Sequence, residues 1–136
     1  MAPSTSLCAY DGSFAAGLLE TAVQTLTSKA ATLLVSSDAP YPEPLNSVRP
    51  MSAGFGVGLV ISARQSEKSV ARLTLSLTQE TPSTLPQLEL ERIRLDSPAA
   101  RALPLLVRLA SGTSDRSLVH LDYLANCSLT LQVESV

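Results

Sequence analysis

The chain has 136 residues, of which 45% are hydrophobic and 4% aromatic, and its formal net charge at pH 7 is −2. This size allows one domain with an aliphatic core, and the balanced charge provides neither a basic surface for nucleic acid nor a polybasic membrane anchor. The longest apolar stretch, residues 53–63, is too short to span a membrane, and no basic-then-apolar leader opens the sequence. We therefore expect a single cytoplasmic domain over residues 1–136 that binds neither nucleic acid nor membrane.

The first predicted elements are a strand, a tight turn and an amphipathic helix. Residues 4–9 are apolar, small or β-branched and lead into the turn-forming sequence Tyr10-Asp11-Gly12. Residues 13–28 are predicted to form a helix, with Asp11 or Ser13 capping its free N–H groups. The helix prediction rests on one apolar stripe, formed by Phe14, Ala15, Leu18, Leu19, Ala22, Val23 and Leu26.

The next segment completes a predicted βαβ unit. Residues 31–35 form a continuous apolar run that is too short for a helix and is typical of a strand buried on both faces. A strand, a helix and a second strand in this order predict a right-handed crossover between parallel strands. The turn at residues 8–12 would then lie at the carboxyl edge of the sheet, where α/β proteins bind ligands. The predicted fold class is α/β, with a mixed β-sheet and flanking helices.

The remaining segments alternate between clear and ambiguous patterns. Four prolines predict an extended loop over residues 38–51, and Pro82 and Pro86 make residues 81–95 irregular. Alternating apolar residues predict a strand at 54–61, whose second face carries three glycines, and an antiparallel partner at 71–78. A one-turn piece and a helix over residues 104–110 come next. A terminal hairpin through Ala125-Asn126 joins strands near 118–121 and 128–134.

Several of these segments resemble the β-ketoacyl synthase N-terminal-domain family of the thiolase superfamily. They are Ala2-Pro3-Ser4-Thr5-Ser6, residues 14–20, Leu33-Leu34-Val35, the proline-rich residues 38–45, and residues 97–106. The branch most similar to this chain is that of the chain-length factors, which accompany ketoacyl synthases in polyketide and aryl-polyene pathways. The resemblance implies a partial thiolase-like fold. Family members carry a substantial segment before the strand that opens this chain, so we expect a partial copy of the domain.

The resemblance also indicates where a nucleophile would lie. Ketoacyl synthases place a cysteine at the turn between this kind of strand and helix, where the helix start and backbone donors stabilise a thiolate and a thioester oxygen. Here Tyr10 falls at or next to that position, and Cys8 lies about two residues early, where we expect it to be a buried structural residue. The candidate residues of a substrate cavity are Cys8, Tyr10, Asp11, Gly12, Ser13 and Phe14.

The second part of condensing chemistry is not matched. Family enzymes decarboxylate their extender unit with histidines from a later half of the fold, whereas His120 is the only histidine in this sequence and lacks the family's motif. We interpret His120 as an ordinary strand residue. Cys8 and Cys127 have no metal-site or disulfide spacing, and the glycines at 54, 56 and 58 continue into a strand instead of opening a helix. No cofactor and no metal are expected.

The expected function is that of a non-catalytic, chain-length-factor-like subunit in fatty acid or polyketide biosynthesis. The resemblance implies a ketoacyl synthase subunit and an acyl carrier protein as partners, and homo-oligomerisation is a further expectation. One alternative is an acyl-thioester transferase of the 3-oxoacyl-[acyl-carrier-protein] synthase type that uses Cys8 as its nucleophile. The other alternative is an inactive remnant.

Overall fold

A computed structural model describes residues 3–112 and 115–136 as helices on two small antiparallel sheets. Two 3₁₀ turns, Tyr10–Gly12 and Ala99–Ala102, directly precede helices. The helices are α1 (Ser13–Ser28), α2 (Leu45–Val48), α3 (Leu88–Asp96) and α4 (Leu103–Ala110), and the strands are β1 (Thr32–Asp38), β2 (Phe55–Ile61), β3 (Ala71–Thr78), β4 (Ser117–Leu124) and β5 (Cys127–Ser135).

The strands form one pair and one triplet. Strands β1 and β2 are antiparallel, with Thr32 opposite Ile61 and Asp38 opposite Phe55. The second sheet has the order β3-β5-β4, and Leu131 at its centre lies opposite Leu75 on one side and Val119 on the other. Every strand pairing among the described residues is antiparallel.

The core lies between α1 and the inner faces of the two sheets. Phe14 and Leu18 of α1 are completely or almost completely buried against Leu121, Leu129 and Leu131 of the central hairpin. Each such side chain contributes roughly 1.5–3 kcal/mol when it leaves water, so this cluster is a main stabilising feature of the fold. The inward residues of β1 and β2, such as Leu34 and Leu59, are half-buried at its edge.

Several predictions are confirmed by the structure. The fold class is α/β, α1 has the predicted bounds, and β2 and β3 lie where their alternating patterns placed them. Helix α4, predicted over residues 104–110, begins one residue earlier, at Leu103. It follows the predicted one-turn piece, Ala99–Ala102. The terminal hairpin also forms, and Leu124 pairs with Cys127 across the predicted turn.

The predicted βαβ unit is wrong. Residues 4–9 form no strand, and β1 pairs antiparallel with β2 instead of parallel with the opening segment. The opening segment is exposed through Cys8, and its Ser4, Thr5 and Ser6 side chains have little apolar surface to bury. Without burial, the few residues gain too little to offset the entropy of ordering a strand.

The prediction that β1 is buried on both faces is also wrong. Leu33 and Val35 are 63% and 64% exposed, while the alternate residues of the strand, Leu34 among them, are half-buried. Strand β1 continues beyond the apolar run to Asp38, whose carboxylate accepts hydrogen bonds from the Ser97 hydroxyl at 2.8 Å and the Ala99 backbone N–H at 2.6 Å. These bonds tie the end of the first sheet to the start of the Ala99–Ala102 turn.

Three more local predictions need correction. Strand β3 pairs with β5 and not with β2, because its half-buried leucines complete the core beside the central hairpin. The predicted irregular segment contains α3, which is stabilised by an ion pair between Glu91 and Arg94 on successive turns. The proline-rich loop contains the single-turn helix α2, where the Ser47 hydroxyl donates to the Pro44 carbonyl oxygen at 2.6 Å.

Candidate functional site

The turn that enters α1 has an unusual backbone conformation. Tyr10 has a φ of 55°, a left-handed value that glycine adopts easily but that is uncommon for a bulky residue. The Ser13 hydroxyl holds this turn, since it donates to the Tyr10 carbonyl oxygen at 2.5 Å and accepts from the Ala9 N–H at 3.0 Å. The N-cap of α1 is Gly12, and no side chain caps the helix, so the predicted capping by Asp11 or Ser13 is wrong.

Gly12 lets this turn lie directly against β4. A Cβ atom at this position would be 2.1 Å from the backbone carbonyl oxygen of Tyr123. No side chain can be accommodated at that distance unless the turn and the strand move apart. The glycine therefore sets the position of Tyr10 and Asp11 relative to the β4–β5 hairpin.

Two arginines contact the turn through Asp11. The Arg49 guanidinium forms an ion pair with Asp11 and also lies over the Tyr10 ring, 3.8 Å from its centroid. The second arginine, Arg101, is 3.7 Å from Asp11 and 3.4 Å from Asp122 of β4. The charges alternate in sign along this chain of contacts, so the turn is joined electrostatically to both the loop after α2 and the hairpin.

The chain of ion pairs continues into α3 through Arg94. Arg94 is only 4% exposed, and its guanidinium donates to both carboxylate oxygens of Glu91 at 2.7 and 2.8 Å and to Asp122 at 2.8 Å. The Arg94 hydrogen bonds lower the pKa of Glu91 from 4.5 to about 2, although burial acts in the opposite direction. The same bonds raise the pKa of Arg94. This pair is the most strongly coupled part of the network.

A cavity of about 870 Å³ opens beside the turn. Its walls are residues 9–12, residues 79–82 and the hairpin residues 122–128. Three acidic side chains line it, those of Asp11, Glu80 and Asp122, and none of the described lining residues is basic. A thiolate or an oxyanion is stabilised by positive neighbours or by aligned backbone donors. The lining of this cavity supplies no positive side chain for that purpose.

The structure separates the six candidate cavity residues. Tyr10, Asp11 and Gly12 line the cavity together, whereas Ser13 fastens the turn and Phe14 is fully buried in the core. Cys8 is exposed on the irregular opening segment, so the expectation that it is a buried structural residue is wrong. Its exposure follows from the missing strand, because no sheet covers it.

Sequence reasoning missed the opposite wall of the cavity. Asp122, Tyr123 and Cys127 reach the turn only because the hairpin folds back across more than a hundred residues of chain. Nothing in their local pattern signals this contact. Cys127 is half-buried, and its thiol points toward the Ser128 carbonyl oxygen, with the Sγ atom at 3.9 Å from it.

His120 lies in β4, as expected for a strand residue. Its Nδ1 atom is 2.8 Å from the Thr130 hydroxyl oxygen on β5, and its backbone N–H donates to the Ser83 hydroxyl. The imidazole is thus engaged across the sheet, and His120 is not one of the residues that line the cavity.

Residues 3–112 and 115–136 contain no group of three or more His, Cys, Asp or Glu side chains placed to hold a metal ion. None of the helices in the same ranges has the length and apolar character needed to cross a membrane.

These features define an α/β protein in which a left-handed turn, packed against an antiparallel hairpin, opens the main helix. The model of the β-ketoacyl synthase N-terminal domain matches residues 1–117, and the chain belongs to this family. Its helices and two antiparallel sheets are consistent with a partial thiolase-like fold. No curated protein and no solved structure matches the chain. Since the match ends at Ser117, nearly all of the β4–β5 hairpin lies outside it.

Proposed function

We propose that the chain is a non-catalytic, chain-length-factor-like subunit of fatty acid or polyketide biosynthesis, of the aryl-polyene type. It pairs with an active ketoacyl synthase and an acyl carrier protein and helps to shape the synthase's acyl cavity. The observation that carries this proposal is the residue at the turn before α1. Tyr10 occupies the left-handed position there, at or next to the position where the family resemblance places the nucleophile.

The geometry of the turn supports this proposal. A sharp, strained turn at the start of a helix is a common way to present a nucleophile, as in enzymes with a nucleophile elbow. Tyr10 has this strained conformation and is 68% exposed, but it offers a phenol instead of a thiol. Its ring face is covered by Arg49, and the adjacent Asp11 places a negative charge at the helix start. These neighbours suit a binding surface better than a covalent acyl site.

The position of the histidine supports the same proposal. Condensation needs a group that assists decarboxylation near the acyl thioester, in addition to a nucleophile. His120 bonds to Thr130 across the second sheet and does not line the cavity at the turn. The described residues therefore bring neither a thiol at the turn position nor a histidine beside it.

The decisive experiment is reconstitution with a ketoacyl synthase. The protein alone, given acyl and malonyl thioesters of an acyl carrier protein, is expected to form no condensation product. Co-expressed with its synthase, it is expected to co-purify as a stoichiometric complex and to alter the length distribution of the acyl products. Tyr10→Ala should shift that distribution, whereas Tyr41→Ala in the proline-rich loop is the matched control. Condensation by the isolated chain would refute the proposal.

One observation favours a second candidate, an acyl-thioester transferase that uses Cys8. The thiol of Cys8 is exposed and so can reach a macromolecular thioester. A labelled acyl-carrier thioester should then leave an acyl group on Cys8, detected by mass spectrometry and abolished in Cys8→Ser but not in Cys127→Ser. An inactive remnant would give neither an adduct nor a complex.

A further inference from the structure

A second concave surface lies away from the turn, between the C-terminal half of α1, the end of β2 and residues 71–75 of β3. We call it the α1–β3 groove; its volume is about 1060 Å³. It shares no lining residue with the cavity beside Tyr10. Its walls are aliphatic and are formed mainly by Leu18, Leu19, Ala22, Val23, Leu26, Val60, Ile61, Ala71, Leu73 and Leu75.

Residues at the floor of the groove are less exposed to solvent than residues at its sides. Leu18 at the floor is 1% exposed, whereas Val23, Leu26 and Val60 at the sides are 52–72% exposed. Isolated exposed apolar residues are ordinary, but a contiguous apolar surface in a concave site is typical of a binding site. The groove thus has an apolar interior that remains in contact with water in the isolated chain.

The charged side chains that line the groove are all basic. Arg64, Lys68 and Arg72 line the groove and are exposed, and none of the described lining residues is acidic. Arg72 is held in place by Gln65 and lies 4.0 Å from Glu134. The turn between β2 and β3 adds three serine hydroxyls to this rim, from Ser62, Ser66 and Ser69. Cations and hydroxyls at the end of an apolar groove complement an anionic group.

This charge pattern argues against a second copy of the chain as a symmetric occupant. In a two-fold contact centred on the mouth, the three cations of one groove would face the three cations of the other. Such like-charge contacts are unfavourable. The occupant has to be apolar along its length and negative at one end.

The geometry points to a binding site for a single-chain anionic amphiphile in the α1–β3 groove. The alkyl chain lies along the α1 and β3 walls, and a carboxylate or phosphate head group contacts Arg64 and Lys68 at the mouth. The ligand is held without reaction, since binding forms and breaks no covalent bond. The site is separate from the turn before α1, so its test does not depend on the proposed subunit role.

Isothermal titration calorimetry with amphiphiles below their micelle-forming concentrations tests the site. Dodecanoate, dodecyl phosphate and dodecyltrimethylammonium carry the same chain with different head groups. Saturable 1:1 binding of one or both anions, weakened by added salt, is the expected result, and the anion that binds identifies the head group. Equal binding of the cationic amphiphile, or no saturable binding of either anion, would overturn the inference. Binding only to vesicles of phosphatidylcholine and phosphatidylglycerol would also overturn it.

Variants then locate the bound amphiphile. The double substitution Arg64→Gln and Lys68→Gln should weaken anion binding roughly 2- to 30-fold, as expected for the loss of two exposed charge contacts. Lys29→Gln with Arg92→Gln removes the same charge from exposed positions outside the groove and is the matched control. Val23→Glu places an acid in the apolar wall and should abolish binding, whereas Thr27→Glu on the same helix should not. Equal effects of test and control variants would show that the amphiphile binds elsewhere.

Discussion

Replacing Gly12 with alanine tests whether the turn before α1 rests against β4 as closely as described. The added Cβ would lie 2.1 Å from the Tyr123 carbonyl oxygen and 3.0 Å from its carbonyl carbon. Ordinary contacts begin at 3.4 Å, so the turn and the strand would have to separate by about 1.3 Å. The obstacle is backbone, which cannot rotate away as a side chain can.

The expected cost follows from this overlap. Overpacking of a close contact typically costs about 1–3 kcal/mol, and a rigid backbone neighbour places Gly12→Ala at the upper end of that range. The φ of Gly12 is −83°, which alanine adopts freely, so the reduced entropy of the unfolded chain returns up to about 1 kcal/mol. A net loss of about 2–3 kcal/mol corresponds to a decrease in Tm of about 6–15 °C for a domain of this length.

Thermal unfolding followed by circular dichroism measures this decrease, and Gly17→Ala is its matched control. A Cβ at Gly17 would meet only the Cδ1 atom of Leu34, at 3.0 Å, and this side chain can move. The substitution also removes a glycine from the interior of α1, which gains up to about 1 kcal/mol of helix propensity. The Tm of Gly17→Ala should therefore stay close to that of the parent chain. If Gly12→Ala were equally well tolerated, the described packing of the turn on β4 would be incorrect.

Two further predictions concern buried polar groups. Because Arg94 lowers the pKa of Glu91 from 4.5 to about 2, ionised Glu91 should stabilise the fold above about pH 4.5, and this contribution should be lost as the pH falls toward 2. Urea unfolding between pH 7 and pH 2.5 should show that Glu91→Gln is less stable than the parent at neutral pH and equally stable in acid. Glu89→Gln, at an exposed position, is the control. A stability difference that does not change with pH, or the same pH profile for Glu89→Gln, would contradict this prediction. The Thr25 hydroxyl is buried without a hydrogen-bond partner among the described residues, so Thr25→Val should raise the unfolding free energy by up to about 1 kcal/mol, while exposed Thr27→Val should change it little. A destabilised Thr25→Val variant would show that the hydroxyl has a partner.

The functional proposal depends on the turn and on the family together. Membership of the β-ketoacyl synthase N-terminal-domain family comes from the match over residues 1–117 and does not require a parallel strand pair. The identity of Tyr10 and the placement of His120 are what favour a partner subunit over a condensing enzyme.

The local elements with strong periodicity could be predicted from the sequence. The stripe along α1 and the alternation in β2, β3 and the terminal hairpin each bury one face, and burial of a periodic face is enough to select helix or strand. The turn at Tyr10-Asp11-Gly12 was also located correctly, because its residue types favour a bend. These features depend on residues that are close together in the chain.

Partner choice was decided only by the tertiary structure. The pattern of a strand indicates which of its residues face inward but not which strand lies beside it. For this reason β1 was paired with the opening segment instead of β2, and β3 was paired with β2 instead of β5. Helix α3 escaped prediction because its apolar residues form no clear stripe, and it is held by Arg94 contacts that reach as far as Asp122.

The candidate site shows the same division between sequence and structure. Tyr10, Asp11 and Gly12 were recognisable because they form one short segment, and their contact with Tyr123 and Cys127 arises only when the hairpin packs on the turn. Turn-forming residue types and hydrophobic periodicity act over a few residues. They determined helix α1, the strands with alternating patterns and the turn before α1. The wall of the cavity, the chain of ion pairs and the α1–β3 groove depend on how those elements pack, because each brings together side chains from distant parts of the chain.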